Sequence, residues 1–483
     1  MSLTRKKSLS GLLSQAADSE KGLKRTLDAK ALVALGIGAI IGAGLFVRTA
    51  AAAAEASGAA VTLSFIVAAI GCALAGLCYA EFAAMIPIAG SAYTYAYATM
   101  GEFVAWVIGW ALILEYALGA ATVSIAWSEY LNNLLGGAIP YALCHSFLQT
   151  SATGTSGILN FPALIILLLL TMLLIKGTEE SAKVNAIIVY VKVGIVLLFI
   201  GLAWGFINPA NHTPYLIPEG IVGHEGIFRH GWGGVLGGAG IVFFAFIGFD
   251  AVSTAAQEAK NPAKDMPLGI LGSLAVCTLL YIVFAHVLTG VANWQEFKTA
   301  GKEASVAYAI QTYMPGYAWL ATLITVAILA GFSSVILVML LGQSRVFYSM
   351  ANDGLLPKIF SELHPKFRTP YKSNMVLFVF VGAIAALLPG DITGDLTSIG
   401  TLFAFVLVCV GVMILRKTDP NVARPFRAPW VPMVPILGIL VCGAMIIALD
   451  RQTQLAALGW LLIGLAVYFT YSQRHSKLNT ANK

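Results

Sequence analysis

Long apolar runs separated by short polar segments dominate the chain, and most of the runs reach roughly the 18 residues that a helix needs to cross a bilayer. They lie near residues 31–58, 61–86, 100–130, 159–176, 184–207, 235–257, 267–291, 318–350, 374–389, 393–415, 432–450 and 455–472. The first, third and eighth exceed one perpendicular crossing, which predicts a tilt or a break in each. The pattern predicts an all-α integral membrane protein with 12 transmembrane helices, called spans 1 to 12 below.

Composition and charge fix the environment and the orientation. Of 483 residues, 58% are hydrophobic and 11% charged, too few charges to cover a soluble surface of this size. Most of the 29 Lys and Arg residues fall in the N-terminal segment and in every second connection, and such residues stay on the cytoplasmic side. The opposite connections hold Arg229, Lys298, Lys302 and Arg451. Both termini are therefore expected in the cytoplasm, with the chain in a bacterial-type plasma membrane.

Several classes of protein find no support in the sequence. The net charge of +6 follows the cytoplasmic asymmetry, so we expect contact with anionic lipids and no nucleic-acid partner. Residues 1–30 lack an apolar core, which argues against a cleaved signal peptide. The six cysteines show no paired spacing, so neither a disulfide framework nor a metal site is expected. No phosphate-binding loop or nucleophile with a base appears, which argues against an ATP-driven pump, an enzyme or a bound cofactor.

Glycines interrupt two of the spans. In span 1 they are Gly36, Gly38, Gly42 and Gly44, and in span 6 Gly237, Gly238 and Gly240 precede the segment FFAFIGFD. An unpaired backbone group in lipid costs several kcal/mol, so such breaks must face protein or a water-filled cavity. Close helix packing is the alternative for Gly38 and Gly42. Breaks in the first helix of two successive groups of five spans predict inverted repeats with a site at mid-membrane.

The backbone at these breaks offers groups of opposite polarity. The half-helix after the first break begins at Gly42, Ala43 and Gly44. Its free N–H groups and the positive end of its dipole suit a carboxylate. The carbonyl groups that suit an ammonium lie near Ile40 and Ile41 and around Phe244, Ala245 and Ile247. Together these groups predict a receptor for an α-amino acid zwitterion.

Five motifs carry a resemblance to a known family. They are GIGAIIGAGLF, CYAEFAAMIPIAGSAYTYAYATMGEFVAWVIGW, FFAFIGFDAVSTAAQEAKNPAKDMPLGI, QSRVFYSMANDGLLP and RPFRAPWVPMVPILGI. The chain resembles the amino acid, polyamine and organocation superfamily, most closely bacterial members of its cationic amino acid transporter branch of the proton-coupled ApcT type. The resemblance implies a LeuT-like fold, in which two inverted repeats of five helices, with helices 1 and 6 broken, precede two C-terminal helices.

The resemblance also implies an organisation and a set of binding groups. It divides the chain into a cytoplasmic segment 1–30, a first repeat 31–207, an extracellular loop 208–231, a second repeat 232–416, helices 11 and 12 in 417–472, and a cytoplasmic tail 473–483. It implies that the residues at 42–44 hold the substrate carboxylate and that Phe244 caps the site from outside. The carbonyls that would hold the amine belong to Ile40, Phe244, Ala245 and Ile247.

Lys192 lies in the middle of VYVKVGIVLLFIG, where a charged lysine costs about 2.5 to 3.5 kcal/mol. Snorkelling to the lipid head groups is one explanation. Because burial disfavours the charged amine, the other explanation is a proton carrier, with protons as the coupling ion. The resemblance implies that this lysine replaces a sodium ion between spans 1 and 8. The matching oxygen atoms would belong to Gly38, Ile41, Ser333 and Ser334.

Other candidates concern selectivity and gating. Glu115 is the acidic residue deepest in a span, and it could carry a proton, pair with a basic substrate or bond a neighbouring helix. Asp250 follows the span 6 break, at a position that the resemblance links to proton or gating function. Phe249 and Ser333 are further selectivity candidates. Arg48, one turn beyond the first break, is expected near Glu115 or in the outer vestibule.

The sequence thus predicts a proton-coupled symporter that imports L-amino acids by alternating access, as a monomer or weak oligomer. Cationic substrates are favoured if Glu115 faces the pocket, and small neutral ones if it does not. One alternative is an amino acid or polyamine exchanger on the same fold. Another is an amino acid sensor or accessory membrane subunit, which would bind substrate without moving it.

Overall fold

A computed structural model describes residues 5–7, 27–86, 91–151, 153–176, 181–256, 259–299, 305–367 and 369–480. These residues form helices and no β-strand. Eight of the helices are long and apolar enough to cross a membrane, and four shorter helices are also apolar. The protein is therefore an all-helical membrane protein. Residues 8–26 of the predicted cytoplasmic segment, Lys302 and the end of the predicted tail lie outside the described residues.

The helices follow the predicted apolar runs closely. In chain order they are α1 (Ala29–Ile40), α2 (44–57), α3 (Val61–Met85), α4 (Ser91–Thr99), α5 (Glu102–Leu134), α6 (Phe161–Lys176), α7 (Ser181–Ala203), α8 (Gly231–Val242), α9 (Ala251–Thr254), α10 (Pro262–Val291), α11 (Ser305–Tyr313), α12 (Ala318–Asn352), α13 (Tyr371–Leu387), α14 (Gly390–Thr418), α15 (Met433–Ala448) and α16 (Arg451–Val467). The short helices α4 and α11 fall between predicted spans, because neither contains an apolar run long enough for a crossing.

The first predicted span is two helices in the structure. The first, α1, ends at Ile40, and the backbone of Ile41 is extended, with ψ 106°. The second, α2, begins with a wide π turn, Gly44–Arg48, and a second π turn, Ala53–Ser57, ends it. Such wide turns are frequent at functional sites. The glycine-rich stretch is therefore a break, with α1 and α2 on either side of it.

The sixth predicted span is interrupted as well. After α8 ends, the chain forms a 3₁₀ turn, Phe243–Phe246, and then extends at Ile247, with ψ 135°. Gly248 follows with φ +113°, a conformation that favours glycine. A Cβ atom at Gly248 would lie 2.9 Å from the carbonyl oxygen of Ala39 in α1. The second break therefore contacts the first.

The core forms around these two interrupted segments. The long helix α10 packs along both α1 and α3, and α12 packs against α5 and α7. Close approach of α1 to α10 depends on Gly36, where a Cβ atom would lie 2.5 Å from the Ser273 hydroxyl. The breaks are consequently held inside the bundle, where neighbouring helices replace lipid around their free backbone groups.

Candidate functional site

The breaks of spans 1 and 6 contact each other in the protein interior. A Cβ atom at Gly44 would lie 2.2 Å from the Cα atom of Ala245, so the two backbones touch. Ile40 and Phe244 are each 3% exposed. The structure thus brings together the residues that the sequence assigns to substrate binding: Ile40, Gly42, Ala43, Gly44, Phe244, Ala245 and Ile247.

The start of α2 presents backbone donors. The carbonyl of Gly42 accepts from Leu45 N–H at 3.2 Å, as in the first turn of a helix. For the N–H groups of Gly42, Ala43 and Gly44, the described residues supply no acceptor. Three unpaired N–H groups at a helix start form a place where a carboxylate can accept hydrogen bonds.

Tyr281, on α10, bridges the two breaks and was not predicted from the sequence. Its hydroxyl oxygen lies 3.0 Å from the carbonyl oxygen of Ile40 and 2.9 Å from that of Ala245. Its O–H can donate to either carbonyl, and each oxygen retains a second lone pair for a ligand. A buried tyrosine hydroxyl needs a partner, but the sequence does not indicate which one.

Lys192 reaches the first break from α7. The side chain is buried, and its amine donates to the carbonyl of Gly38 at 2.8 Å. Ser333 donates instead to Leu329 in its own helix, at 2.9 Å, and Ser334 is buried beside it in α12. The structure therefore joins Lys192 to Gly38, whereas the Ser333 hydroxyl serves its own helix.

Glu115 and Asp250 lie side by side, although they come from different spans. Both side chains are fully buried, and the Tyr116 hydroxyl donates to Asp250 at 2.5 Å. The Glu115 carboxyl lies beside Asp250 and Thr401, and neither of its oxygen atoms has a hydrogen-bond partner among the described residues. Two adjacent carboxyl groups away from water are costly to ionise together, so the pair is suited to hold a proton. Their proximity depends on contact between spans 3 and 6, which no local pattern indicates.

Arg48 is paired away from Glu115. Its guanidinium donates to Asp395 on α14, and it lies 3.8 Å from Asp391 near the start of that helix. Arg48 and Asp395 are both buried. The structure therefore places Arg48 beside α14 and not beside Glu115, and its position in an outer vestibule stays a prediction.

Phe249 packs into an aromatic cluster. Its ring lies 5.8 Å from that of Tyr79 and 5.0 Å from that of Phe405, between spans 2, 6 and 10. Phe244 is buried within the break itself. Phe249 therefore packs the span 6 break against spans 2 and 10 through its contacts with Tyr79 and Phe405.

One cavity leads to the site from the side predicted to be extracellular. It measures about 80 Å³ and lies between α2 and α5, with Ala43 among its lining residues. Its polar lining includes Arg48, Glu55, Glu129 and Asp391. The cavity therefore reaches the start of α2 on the side predicted to be extracellular.

Ion pairs close the side that is predicted to be cytoplasmic. Glu81, fully buried at the end of α3, accepts two bonds from Arg416, at 3.0 and 2.7 Å, and one from the Ala428 N–H at 2.8 Å. The Lys7 amine lies 2.6 Å from a carboxylate oxygen of Asp353, at the end of α12. These contacts tie the N-terminal segment and the loop after α14 across that side.

The chain is similar in sequence to known transport proteins. The amino acid permease family model matches residues 27–471. The chain is 45% identical to the branched-chain amino acid permease BcaP of Bacillus subtilis, over 99% of both chains. It is 40% identical to the methylthioribose transporter of the same organism, again over 99% of both. It is 35% identical to the vacuolar cationic amino acid transporter 4 of Arabidopsis thaliana, over 87% of this chain and 68% of that one.

These relatives are named as permeases and transporters, and no catalytic family is indicated. They confirm the resemblance drawn from the five motifs. The chain belongs to the amino acid permease family, within the amino acid, polyamine and organocation superfamily, and is a multi-pass membrane protein.

Proposed function

We propose that this protein imports neutral L-amino acids, those with branched apolar side chains first among them, by proton-coupled alternating access. The observation that carries the proposal is the meeting of the two breaks. Unpaired N–H groups at 42–44 would donate hydrogen bonds to the carboxylate, and the carbonyls of Ile40, Phe244, Ala245 and Ile247 would accept hydrogen bonds from the ammonium. The name of the 45% identical permease supports branched-chain amino acids as substrates.

Proton coupling would run through Lys192. The protonated amine would hold α1 to the rest of the bundle through the carbonyl of Gly38. The oxygen atoms of Ile41, Ser333 and Ser334, which the family resemblance adds to this junction, would complete it. Loss of the proton would weaken this bond, because an ammonium makes a stronger hydrogen bond than a neutral amine. α1 could then move, and the site would open toward the cytoplasm.

The proposed topology has twelve crossings with both termini in the cytoplasm of a bacterial cell. Spans 1–5 in 31–207 and spans 6–10 in 232–416 would form the inverted repeats, and residues 417–472 would add two helices. The interruption of spans 1 and 6 supports this arrangement. Residues 208–231 would lie outside, and 473–483 inside.

Neutral substrates are favoured over cationic ones by the surroundings of Glu115. Its carboxyl lies beside Asp250, and Tyr116 bonds that same aspartate. Two buried carboxyl groups side by side are costly to ionise together, and a neutral carboxyl offers little attraction to a basic side chain. Leucine, isoleucine and valine are therefore expected to bind more tightly than arginine or lysine.

Methylthioribose is the second candidate substrate, because a relative of 40% identity bears its name. This sugar has neither a carboxylate nor an ammonium, so the N–H groups at 42–44 and the carbonyls opposite them would lack their charged partners. The geometry of the breaks therefore favours the amino acid.

Uptake by the purified protein in liposomes tests the proposal. With an inward proton gradient, labelled leucine should accumulate, and unlabelled isoleucine and valine should compete with it more strongly than arginine or methylthioribose. Lys192→Ala should lose the dependence on the gradient and retain exchange with preloaded leucine.

Three outcomes would count against the proposal. Uptake that ignores the gradient in the parent protein would favour the exchanger. Binding without any transport would favour the sensor. Accumulation of methylthioribose but not leucine would replace the substrate class.

A further inference from the structure

The alkyl stem of Lys192 crosses α12 at one residue, Gly331. A Cβ atom at Gly331 would lie 2.9 Å from Cε of Lys192, 3.3 Å from Cγ and 3.5 Å from Cδ. Real Cβ atoms essentially never approach another atom closer than 3.0 Å. The lysine stem therefore occupies the space that a side chain at position 331 would need.

The position of this stem determines where the amine ends. Lys192 is 3% exposed and is enclosed by protein, and its amine donates to Gly38 in α1 at 2.8 Å. A hydrogen bond of this kind weakens steeply once the distance and angle leave a narrow range. A shift of the stem by a few tenths of an ångström is thus transmitted to the bond that joins α7 to α1.

The same face of α12 continues along the first break. Ser334 and Val335 follow Gly331 by three and four residues, so the three lie on one side of the helix. A Cβ atom at Gly42 would lie 3.0 Å from a methyl group of Val335. This face thus follows span 1 from the level of Gly38 to that of Gly42, and Gly331 lies where α1, α7 and α12 come together.

We propose that Gly331 is a positioning residue for proton coupling. Its missing side chain leaves the passage through which Lys192 extends from α7, past α12, to the carbonyl of Gly38. The inference rests on the proposed function, because it assigns Gly331 a role only if Lys192 carries the proton. Among the described residues, the titratable group that interacts with Lys192 is the thiol of Cys277, on α10.

Simple helix packing is the competing explanation, since small residues are common where membrane helices approach. The two explanations differ in their dependence on residue 192. If Gly331 only allowed close packing, a larger residue would harm the protein whether or not the lysine is present. If Gly331 positions Lys192, the effect of the larger residue disappears once the lysine is removed.

The test is a double-mutant cycle on proteoliposomes, with labelled leucine uptake driven by a proton gradient and leucine exchange measured in parallel. Gly331→Ala should lower gradient-driven uptake about tenfold or more, as expected from a weakened charged hydrogen bond, and shift the pH profile of uptake. Exchange should persist. In the Lys192→Ala background, Gly331→Ala should cause no further change. Gly194→Ala is the matched control, because a Cβ atom at this glycine of α7 meets nothing within 4 Å.

Two results would overturn the inference alone. One is gradient-driven uptake by Gly331→Ala equal to that of the parent, while Lys192→Ala has lost it. The other is an equal loss of exchange from Gly331→Ala with and without Lys192. Gradient-driven uptake that survives in Lys192→Ala would overturn the proposed function, and this inference with it.

Discussion

At the scale of single residues, the geometry of the site depends more on contacts of backbone atoms than on contacts between side chains. Gly44 is required by the approach of Ala245, since a Cβ atom there would lie 2.2 Å from a backbone atom that cannot rotate away. Tyr281 then fixes the two breaks to α10 through carbonyl oxygens. The site therefore depends on residues whose side chains would make no contact of their own with a substrate.

Gly44→Ala should abolish leucine binding, because the added methyl group forces the two breaks apart and displaces the N–H groups at 42–44. Equilibrium binding of labelled leucine to purified protein measures this. Gly194→Ala, on an open face of α7, should bind like the parent. An unchanged affinity of Gly44→Ala for leucine would show that this glycine is not needed for substrate binding.

Tyr281→Phe should lower stability by about 1 to 3 kcal/mol, since it leaves buried carbonyls of Ile40 and Ala245 without their donor. Thermal unfolding in detergent measures the loss. Bound leucine should restore part of it if the substrate ammonium takes over those carbonyls. An unfolding temperature equal to the parent's would show that this hydroxyl contributes nothing.

At the scale of elements, apolar length and glycine content predicted the helices and the interruption of spans 1 and 6. The sequence did not predict the helices α4 and α11, because they are too short to give an apolar run. Nor did it predict three contacts between spans: the proximity of Glu115 to Asp250, the bridge made by Tyr281 and the pairing of Arg48 with Asp395. Each joins spans that are distant in sequence, and contacts of this kind leave no local periodicity.

Arg48 connects α2 to α14, and its replacement tests that connection. Arg48→Met should destabilise the protein by about 3 to 5 kcal/mol, because Asp395 would remain buried without its partner. The double variant Arg48→Met, Asp395→Leu should recover much of this loss. Thermal unfolding of the parent and of the two variants gives the comparison, and a double variant less stable than Arg48→Met would show that an unpaired Asp395 is not the cause of the loss.

At the scale of the whole molecule, the two sides differ. The side predicted to be extracellular has the cavity that reaches Ala43, and the opposite side is tied by Lys7 with Asp353 and by Glu81 with Arg416. In the proposed import cycle, a state of this kind would receive substrate, and a second state would open the contacts on the opposite side. The inner ion pairs are thus expected to set the balance between the two.

Asp353→Asn should shift that balance toward the inward-open state about two- to fivefold, the range expected of a partly exposed ion pair. The labelling rate of Ser333→Cys, in a background without the six natural cysteines, reports the shift when reagent is added from the cytoplasmic side. The same measurement on Glu362→Gln, whose partner Lys372 lies on the exposed surface, is the control. Equal labelling rates in the reporter protein, in Asp353→Asn and in Glu362→Gln would show that the pair of Lys7 and Asp353 does not affect this equilibrium.

A structure of the purified protein with leucine bound shows whether the two breaks hold the substrate. We expect the leucine carboxylate within hydrogen-bonding distance of the N–H groups of 42–44, and its ammonium against the carbonyls of the two breaks. Leucine bound elsewhere, for example beside Arg48 in the outer cavity, with the breaks unoccupied at saturating concentration, would contradict it.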